Sequence, residues 1–470
     1  MSTESGPKIK DRMGLLVDFF DDLQRTRGNR DPELALEIKS ILAVARDGAP
    51  DKDVPRIPSK VCRDALSLPE LSTLAYILGP EGKNTRIKHI LSGTSGNISF
   101  ISRFPGNVRM MIPVIERLKQ EEKVPGVFAI TDSQAEEELA KKYPHAQDVT
   151  PPLPFPQIFH SFVAGHPKVL VLDTASGDNL SIAMEASFLS YNRPRIVLAH
   201  DAHASTERIH RLIENWDLPP VDRVCAIDEW QKTRLEQMFP QLRGRVTVTG
   251  QPMFDVRTDP LFIADRKRKI RPQLGITDKD FFLTYTLMAE TFNGETEGIA
   301  EALAKMKPEF REKLVVAVRR HPMPRRDPLS YDEHVRFFTD RGIRVVHTMD
   351  GPTKLPTDDT VAACDGVVNT LSTEGFLATC SGLPAIHIVD DRFGITHRKD
   401  IILDVPASEY GAAIKLNRTG YLTNVMETIM TPDSPVARDL ATNMKRFYPQ
   451  DGQKTNRVAA VLLEEMGKAV

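Results

Sequence analysis

The chain has 470 residues, more than one hydrophobic core ordinarily supports, and its 41% hydrophobic and 27% charged residues exclude a disordered or fibrous class. A formal net charge of −2 excludes a strong overall attraction to nucleic acid or to an anionic membrane. The start MSTESGPKIKDR has no apolar signal region, no run reaches the roughly 18 apolar residues of a membrane span, and Cys62, Cys225, Cys364 and Cys380 lack metal-ligand spacing, so a reducing, cytoplasmic setting is expected.

In chain order, the residues up to about Lys88 read as helices. DRMGLLVDFFDDLQR spaces its apolar residues at helical intervals, RDPELALEIKSILAVARDG opens on Asp31 ahead of Pro32, and SLPELSTLAYILG starts at Ser67 and stops at Gly79. No chemistry-bearing motif falls there, and residues 1–88 are expected to be a helical extension for capping or docking. From Ile90 the rhythm changes. NISFIS, GVFAIT, KVLVLDT, RIVLAH, RVCAID and RVTVTG read as strands, with helices such as VRMMIPVIERLKQ, SQAEEELAKKY, NLSIAMEASFLSY and EWQKTRLEQMF between them. Apolar strands alternating with helices imply a parallel sheet covered on both faces.

After the basic helix IADRKRKIRPQLGI the alternation restarts with FFLTYTL, KLVVAVR, IRVVHT, GVVNT and AIHIVD. The expected class is therefore α/β, two tandem doubly wound domains behind a helical extension, with boundaries 1–88, 89–258 and 259–470 and a final helical segment placed to pack back across them. Open α/β sheets bind ligands at the carboxyl ends of their strands, so the expected site is the cleft between the two domains.

One stretch of the second domain asks for a ligand. VVNTLSTEGFLATCSGLPAI reads as a strand, a polar loop and a short helix ending at Gly382, and the amides at that helix start, with Ser372 and Thr373, can hold a phosphate. The Glu374 carboxylate would repel phosphate if aimed at it, but can accept hydrogen bonds from a ribose or sugar hydroxyl; alternatively, Ser372 or Thr373 only caps and Glu374 only answers the helix dipole. VVAVRRHPMPRR sets Arg319, Arg320, His321, Arg325 and Arg326 after another strand at the same edge, Arg325 and Arg326 being the expected solvated bystanders. Arginine forks bind phosphate bidentately, and an imidazole can reach a phosphate oxygen or a base edge.

With RVTVTGQPMFD before the domain crossing, RKIRPQLGITDKDFFLTYT after it, RRHP and STEGFLATCSGLPAI, the chain from about Ile90 to Leu463 resembles GT-B nucleotide-sugar glycosyltransferases, in the branch that includes UDP-N-acetylglucosamine 2-epimerases, Kdo transferases and capsule or teichoic-acid polymer transferases. The resemblance implies two Rossmann-like domains, the first for the acceptor and the second for the donor, with Arg319, Arg320, His321, Ser372, Thr373 and Glu374 on the donor. It also sets Gly177, Asp178 and His200 in register with an epimerase stretch, whereas TLMAETFNGE and VDDRFGITHRKD stand where the epimerase signatures would be, which favours transfer over epimerisation.

Transfer requires a base near the acceptor hydroxyl. LAHDAHASTERIH offers Asp201, His200 and His203 as candidates, with metal binding and plain helix capping as rival readings of that loop; no metal is expected. On the acceptor side Gly96, Asn97, Gly106 and Asn107 form loops that let backbone approach a ligand. The run Arg266–Arg271 is either a solvated face or a peripheral membrane contact. The resulting expectation is an enzyme with no tightly bound cofactor that uses a nucleotide-sugar as co-substrate and delivers the sugar to a hydroxyl acceptor, a glycan, a lipid-linked chain or a protein, in surface glycan or glycoconjugate synthesis. Nucleic acid is not an expected partner. The alternatives are a hydrolysing 2-epimerase and a catalytically silent nucleotide-sugar binder.

Overall fold

Runs dense in Val, Ile, Leu and Phe become strands, those at the centre of the second sheet buried on both faces, and two sheets result. A computed structural model of the chain describes residues 86–91, 98–102, 105–121, 127–131, 147–148, 168–173, 195–199, 221–287, 294–320, 329–349, 354–370, 372–393 and 405–468, besides Asp18, Asp21, Arg25 and Lys142. Most of the expected helical extension, and the expected helices SQAEEELAKKY and NLSIAMEASFLSY, lie outside the described residues.

The first sheet comprises β1 (Arg86–Leu91), β2 (Ile98–Ser102), β3 (Val127–Thr131), β4 (Gln147–Asp148), β5 (Val169–Asp173), β6 (Arg195–Ala199), β7 (Arg223–Ala226) and β8 (Val246–Val248), in the order β4-β1-β3-β2-β5-β6-β7-β8. From β3 to β8 every pairing is parallel, whereas β1 runs antiparallel to both β3 and β4. The strand β1 spans the expected 88/89 boundary, where helix and loop were expected. Its sequence RIKHIL alternates basic and apolar residues only as far as Lys88, and the register shifts between His89 and Leu91.

The second sheet holds β9 (Phe281–Thr286), β10 (Leu314–Arg319), β11 (Arg344–Val345), β12 (Gly366–Asn369), β13 (Ala385–Ile388) and β14 (Ile414–Leu416), all parallel, in the order β11-β10-β9-β12-β13-β14. The chain winds outward from β9 to β11 and then crosses to β12, so a topological switch point lies between the carboxyl ends of β9 and β12. One face, with Phe282, Val315, Ala317, Val367 and Ala385, packs under the helices Pro260–Gln273, Thr357–Ala363, Thr373–Cys380 and Pro435–Phe447. The other, with Leu283, Tyr285, Val316, Val318, Val368 and Ile386, packs under Glu295–Ala304, Tyr331–Thr339 and Leu422–Met430.

The last helix, Lys454–Lys468, returns to the first sheet. Val458, Ala459, Val461 and Leu462 join Val169, Val171, Val197 and Cys225 in one core with the helix Pro105–Leu118. Asp255, in the crossing between the sheets, caps this helix by accepting from the amides of Lys454 (3.0 Å) and Thr455 (2.6 Å). The basic run in the helix Pro260–Gln273 is paired along its length: Arg266 with Asp359, Lys267 and Arg271 with Asp365, Arg268 and Lys269 with Asp265. These internal partners account for the run without a membrane, and no helix among the described residues is long and apolar enough to cross one.

Cys225, Cys364 and Cys380 are buried and unbridged. Burial pushes the thiols up, to about 12 for Cys225 and about 11 for Cys364, and Cys380 rises as well. Thiolate-directed reagents such as Ellman's reagent are therefore expected to titrate at most one of the four cysteines rapidly in the native protein and all four after denaturation. Rapid labelling of two or more would show that these cores open readily.

Candidate functional site

The face of the second sheet that carries Phe282, Val315, Val367 and Ala385 changes character at its carboxyl edge. Side chains alternate between faces along a strand, and pairing sets Arg319 opposite Thr286, Thr286 opposite Asn369, and Asn369 opposite His387. Four neighbouring strands thus end in one polar row on the same face. All four residues are buried, Asn369 completely. The row lies at the switch point, beneath the start of the helix Thr373–Cys380.

That helix is laid down on Asn369. The Asn369 Oδ1 accepts from the amide of Ser372 at 3.0 Å, and Ser372 Oγ in turn caps the amide of Glu374 at 3.3 Å. Gly375 permits the approach: a Cβ there would stand 2.2 Å from Asn369 Nδ2 and 2.7 Å from His387 Cε1. Thr370, at the end of β12, donates to Glu295, a carboxylate buried at the start of the helix Glu295–Ala304 that also accepts from Tyr285 Oη at 3.1 Å. Both ends of the crest are therefore pinned to the sheet.

Arg319 is used internally. Its Nη1 donates to the carbonyl (2.7 Å) and hydroxyl (3.2 Å) of Thr348, and its Nη2 donates to Thr357 Oγ1 at 2.9 Å. Instead of presenting a fork to a ligand, as the sequence suggested, it braces the segments after β11 and before the helix Thr357–Ala363. Burial lowers its pKa, against the pull of Tyr331, Glu374 and Asp358. Polar atoms left without partners gather around it: Arg319 Nε, Thr286 Oγ1, Asn369 Nδ2 and Glu374 Oε2. Buried unsatisfied groups are uncommon in folded proteins, and here four of them converge at one sheet edge.

The charges link the second domain to the first. Asp358, at the start of the helix Thr357–Ala363, pairs at 2.5 Å with Arg257 from the crossing segment, and Arg109 of the first domain's helix Pro105–Leu118 also acts on it. Burial pushes the Asp358 carboxyl up, against these two arginines. Burial also pushes Glu374 up, to about 7, reinforced by Asp358 and opposed by Arg257 and Arg319.

Of the residues singled out in the sequence, the structure brings together Arg319, Ser372 and Glu374, with Thr373 exposed beside them and Arg320 half-buried after β10. Gly106 and Asn107 stand in the first turn of the helix Pro105–Leu118. His321, His200, Asp201, His203, Gly96 and Asn97 lie outside the described residues. Thr286, Asn369, Arg257 and Asp358 escaped the sequence reading, although a polar residue closing each apolar strand at matching parity was a signal that pointed to the first two. Among the described residues no group of three or more His, Cys, Asp or Glu side chains is placed to hold a metal ion.

No family model matches the sequence, and no curated protein matches it either. Among solved structures, the chain is similar to the UDP-GlcNAc 2-epimerase of Neisseria meningitidis bound to UDP-GlcNAc, with a TM-score of 0.55 at 13% identity over 78% of this chain and 100% of that one. It is likewise similar to S. aureus MnaA in its UDP co-structure, with a TM-score of 0.54 at 12% identity over 80% and 97%. A putative UDP-N-acetylglucosamine 2-epimerase from Listeria monocytogenes gives a TM-score of 0.54 at 13% identity over the same shares. At such identities the likeness is one of fold, and the fold it shows is the two-sheet GT-B architecture that the strand order had already drawn.

Proposed function

We propose that this protein is a nucleotide-sugar-dependent glycosyltransferase, with the donor's phosphates on the crest Ser372–Glu374 and the acceptor on the first domain. The observation that carries the reading is the crest itself: helix-start amides set over a buried row in which Asn369 Nδ2 and Arg319 Nε have no partner, at the switch point of a parallel sheet. The amides and the helix dipole supply fixed positive potential for a departing nucleotide phosphate. Arg320, half-buried after β10 at the same edge of the sheet, adds charge. Asp201, with His200 and His203 as alternatives, is proposed as the base that takes the acceptor proton, and His321 as a nucleotide contact. Arg109 and Arg257 meeting at Asp358 fit a cleft whose closure completes the site.

A second reading, a hydrolysing 2-epimerase, is favoured by the fold comparison with the epimerases. Acceptor-dependent release of nucleotide distinguishes transfer from acceptor-free conversion of the sugar. The first test is a thermal-shift panel of UDP, CMP, CDP, dTDP and GDP. A ligand at about a hundred times its Kd adds about 2.7 kcal/mol to stability, so one nucleotide is expected to raise the midpoint clearly and Arg320→Ala to diminish the effect. If none does, the crest is a capped helix start and the donor assignment falls.

A further inference from the structure

We infer that Glu374 recognises its ligand as a carboxylic acid, donating a hydrogen bond to a phosphate oxygen rather than accepting one from a sugar hydroxyl. The inference rests on the nucleotide-binding reading above and assigns the chemical group that this side chain meets.

The geometry leaves the carboxyl little choice. Glu374, half-buried as a whole, stands in the first turn of the helix Thr373–Cys380, and its Oε2 has neither solvent contact nor a hydrogen-bond partner. An ionised oxygen in that position would carry a large desolvation cost unless a cation were free to face it. The cations that act on it or on its neighbour Asp358 are engaged elsewhere. Arg319 gives its two Nη groups to Thr348 and Thr357, Arg257 is paired with Asp358, Arg109 acts on Asp358, and Arg266 is paired with Asp359. Asp255, on the segment Phe254–Arg257 that also packs on this helix, is turned to the amides of Lys454 and Thr455. From the sheet, Asn369 and His387 face the adjacent Gly375. Asp358 adds negative potential, and burial with this repulsion sets the carboxyl near neutrality, at about 7.

A neutral carboxyl is a donor, and its strongest acceptor is an anionic oxygen, through a short O–H···O bond. A sugar hydroxyl is satisfied by either form of the carboxyl, since it can donate to the carboxylate. A fully ionised phosphate oxygen has no proton to give and requires the acid. Proton, carboxyl and phosphate are thereby linked: losing the proton replaces an attraction with a repulsion at the helix start. Phosphate binding would then take up a proton on the alkaline side of neutrality, and the bound phosphate would hold that proton in place.

The test is calorimetric titration of UDP, CDP, dTDP and GDP between pH 7 and 8.5, a window above the second phosphate ionisation at about pH 6, with the parent nucleosides as phosphate-free arms. If only the acid form binds, the affinity of wild type for the nucleoside diphosphate should fall by about tenfold across the window, in proportion to the competent fraction. Buffers of different ionisation enthalpy should report uptake of nearly one proton per nucleotide bound at pH 8.5. Glu374→Gln, a permanent donor of the same shape, should bind about thirtyfold more tightly than wild type at pH 8.5, without proton uptake. Nucleoside binding should be flat with pH in both proteins. If wild-type binding is flat and folded Glu374→Gln loses it, the carboxylate is an acceptor; the inference fails and the nucleotide reading stands. If the folded wild type binds none of the nucleotides at any pH, both fall.

Discussion

Replacing Gly375 with alanine will remove the nucleotide-induced stabilisation and lower the stability of the protein by about 1–3 kcal/mol, the usual effect of forcing a methyl group into a filled interior. The new Cβ would stand 2.2 Å from Asn369 Nδ2 and 2.7 Å from His387 Cε1, both within the buried row. Asn369 is the side chain with an escape, but moving it breaks its 3.0 Å bond to the Ser372 amide and releases the start of the helix. Helix propensity runs the other way, because alanine is favoured over glycine within a helix by about 1 kcal/mol, so a loss of stability reports the close approach. Urea denaturation measures that loss and the thermal-shift panel measures the loss of ligand response. A variant as stable as wild type that still responds to nucleotide would show that Asn369 does not position the crest.

The other large effect is expected far from the crest, at Glu465. This carboxylate is fully buried where the last helix meets the first sheet. Its Oε2 accepts from Arg195 Nε (2.8 Å) and Nη2 (2.7 Å), and its Oε1 accepts from Arg223 Nε and Lys468 Nζ, both at 3.0 Å. Glu465→Ala should cost about 3 kcal/mol, the low end for breaking a buried pair, because Arg195 keeps Asp222 and Arg223 keeps Glu464. The neighbouring Glu464→Ala, at a half-exposed position, should cost less than about 1 kcal/mol. Burial acts against ionisation of Glu465, but Arg195 and Lys468 hold its carboxyl below the usual range. A depressed carboxyl contributes stability above its unfolded value of about 4.3 and loses it as the pH falls through the folded value, so the gap between wild type and Glu465→Ala should close in acid. Equal costs for the two variants in urea at neutral pH would sink this account.

The second sheet was open to sequence reading because its strands are continuous apolar runs ending in turn residues; FFLTYT, LVVAVR, GVVN and AIHI all stand where the pattern places them. What the pattern concealed lies at edges. β4 has two residues and β14 three, too few for a period to show, and β11, expected over IRVVHT, is confined to Arg344–Val345. β1 sits among helical signals and pairs antiparallel with a strand some 40 positions later, an association no local pattern encodes.

The site divides in the same way. The Ser372 cap and the first-turn Glu374 are local grammar and were legible. That Arg319 braces two loops, that Arg257 meets Asp358, and that Asn369 lies under Gly375 are contacts between residues distant in the chain or set by strand register. The basic run from Arg266 to Arg271 looked like an exposed charge cluster until Asp359 and Asp365, about 90 positions later, were found beside it.

The return of the helix Lys454–Lys468 to the first sheet sets an order of events during synthesis. All eight strands of that sheet have been made once Val248 has emerged, but the helix that covers Val169, Val171, Val197 and Cys225 follows only after residues 249–453. At a translation rate of about 5–20 residues per second, that interval lasts about 10–40 s. Throughout it this face of the nascent first domain lacks the cover of Val458, Ala459, Val461 and Leu462, and the second sheet has time to form before that cover arrives.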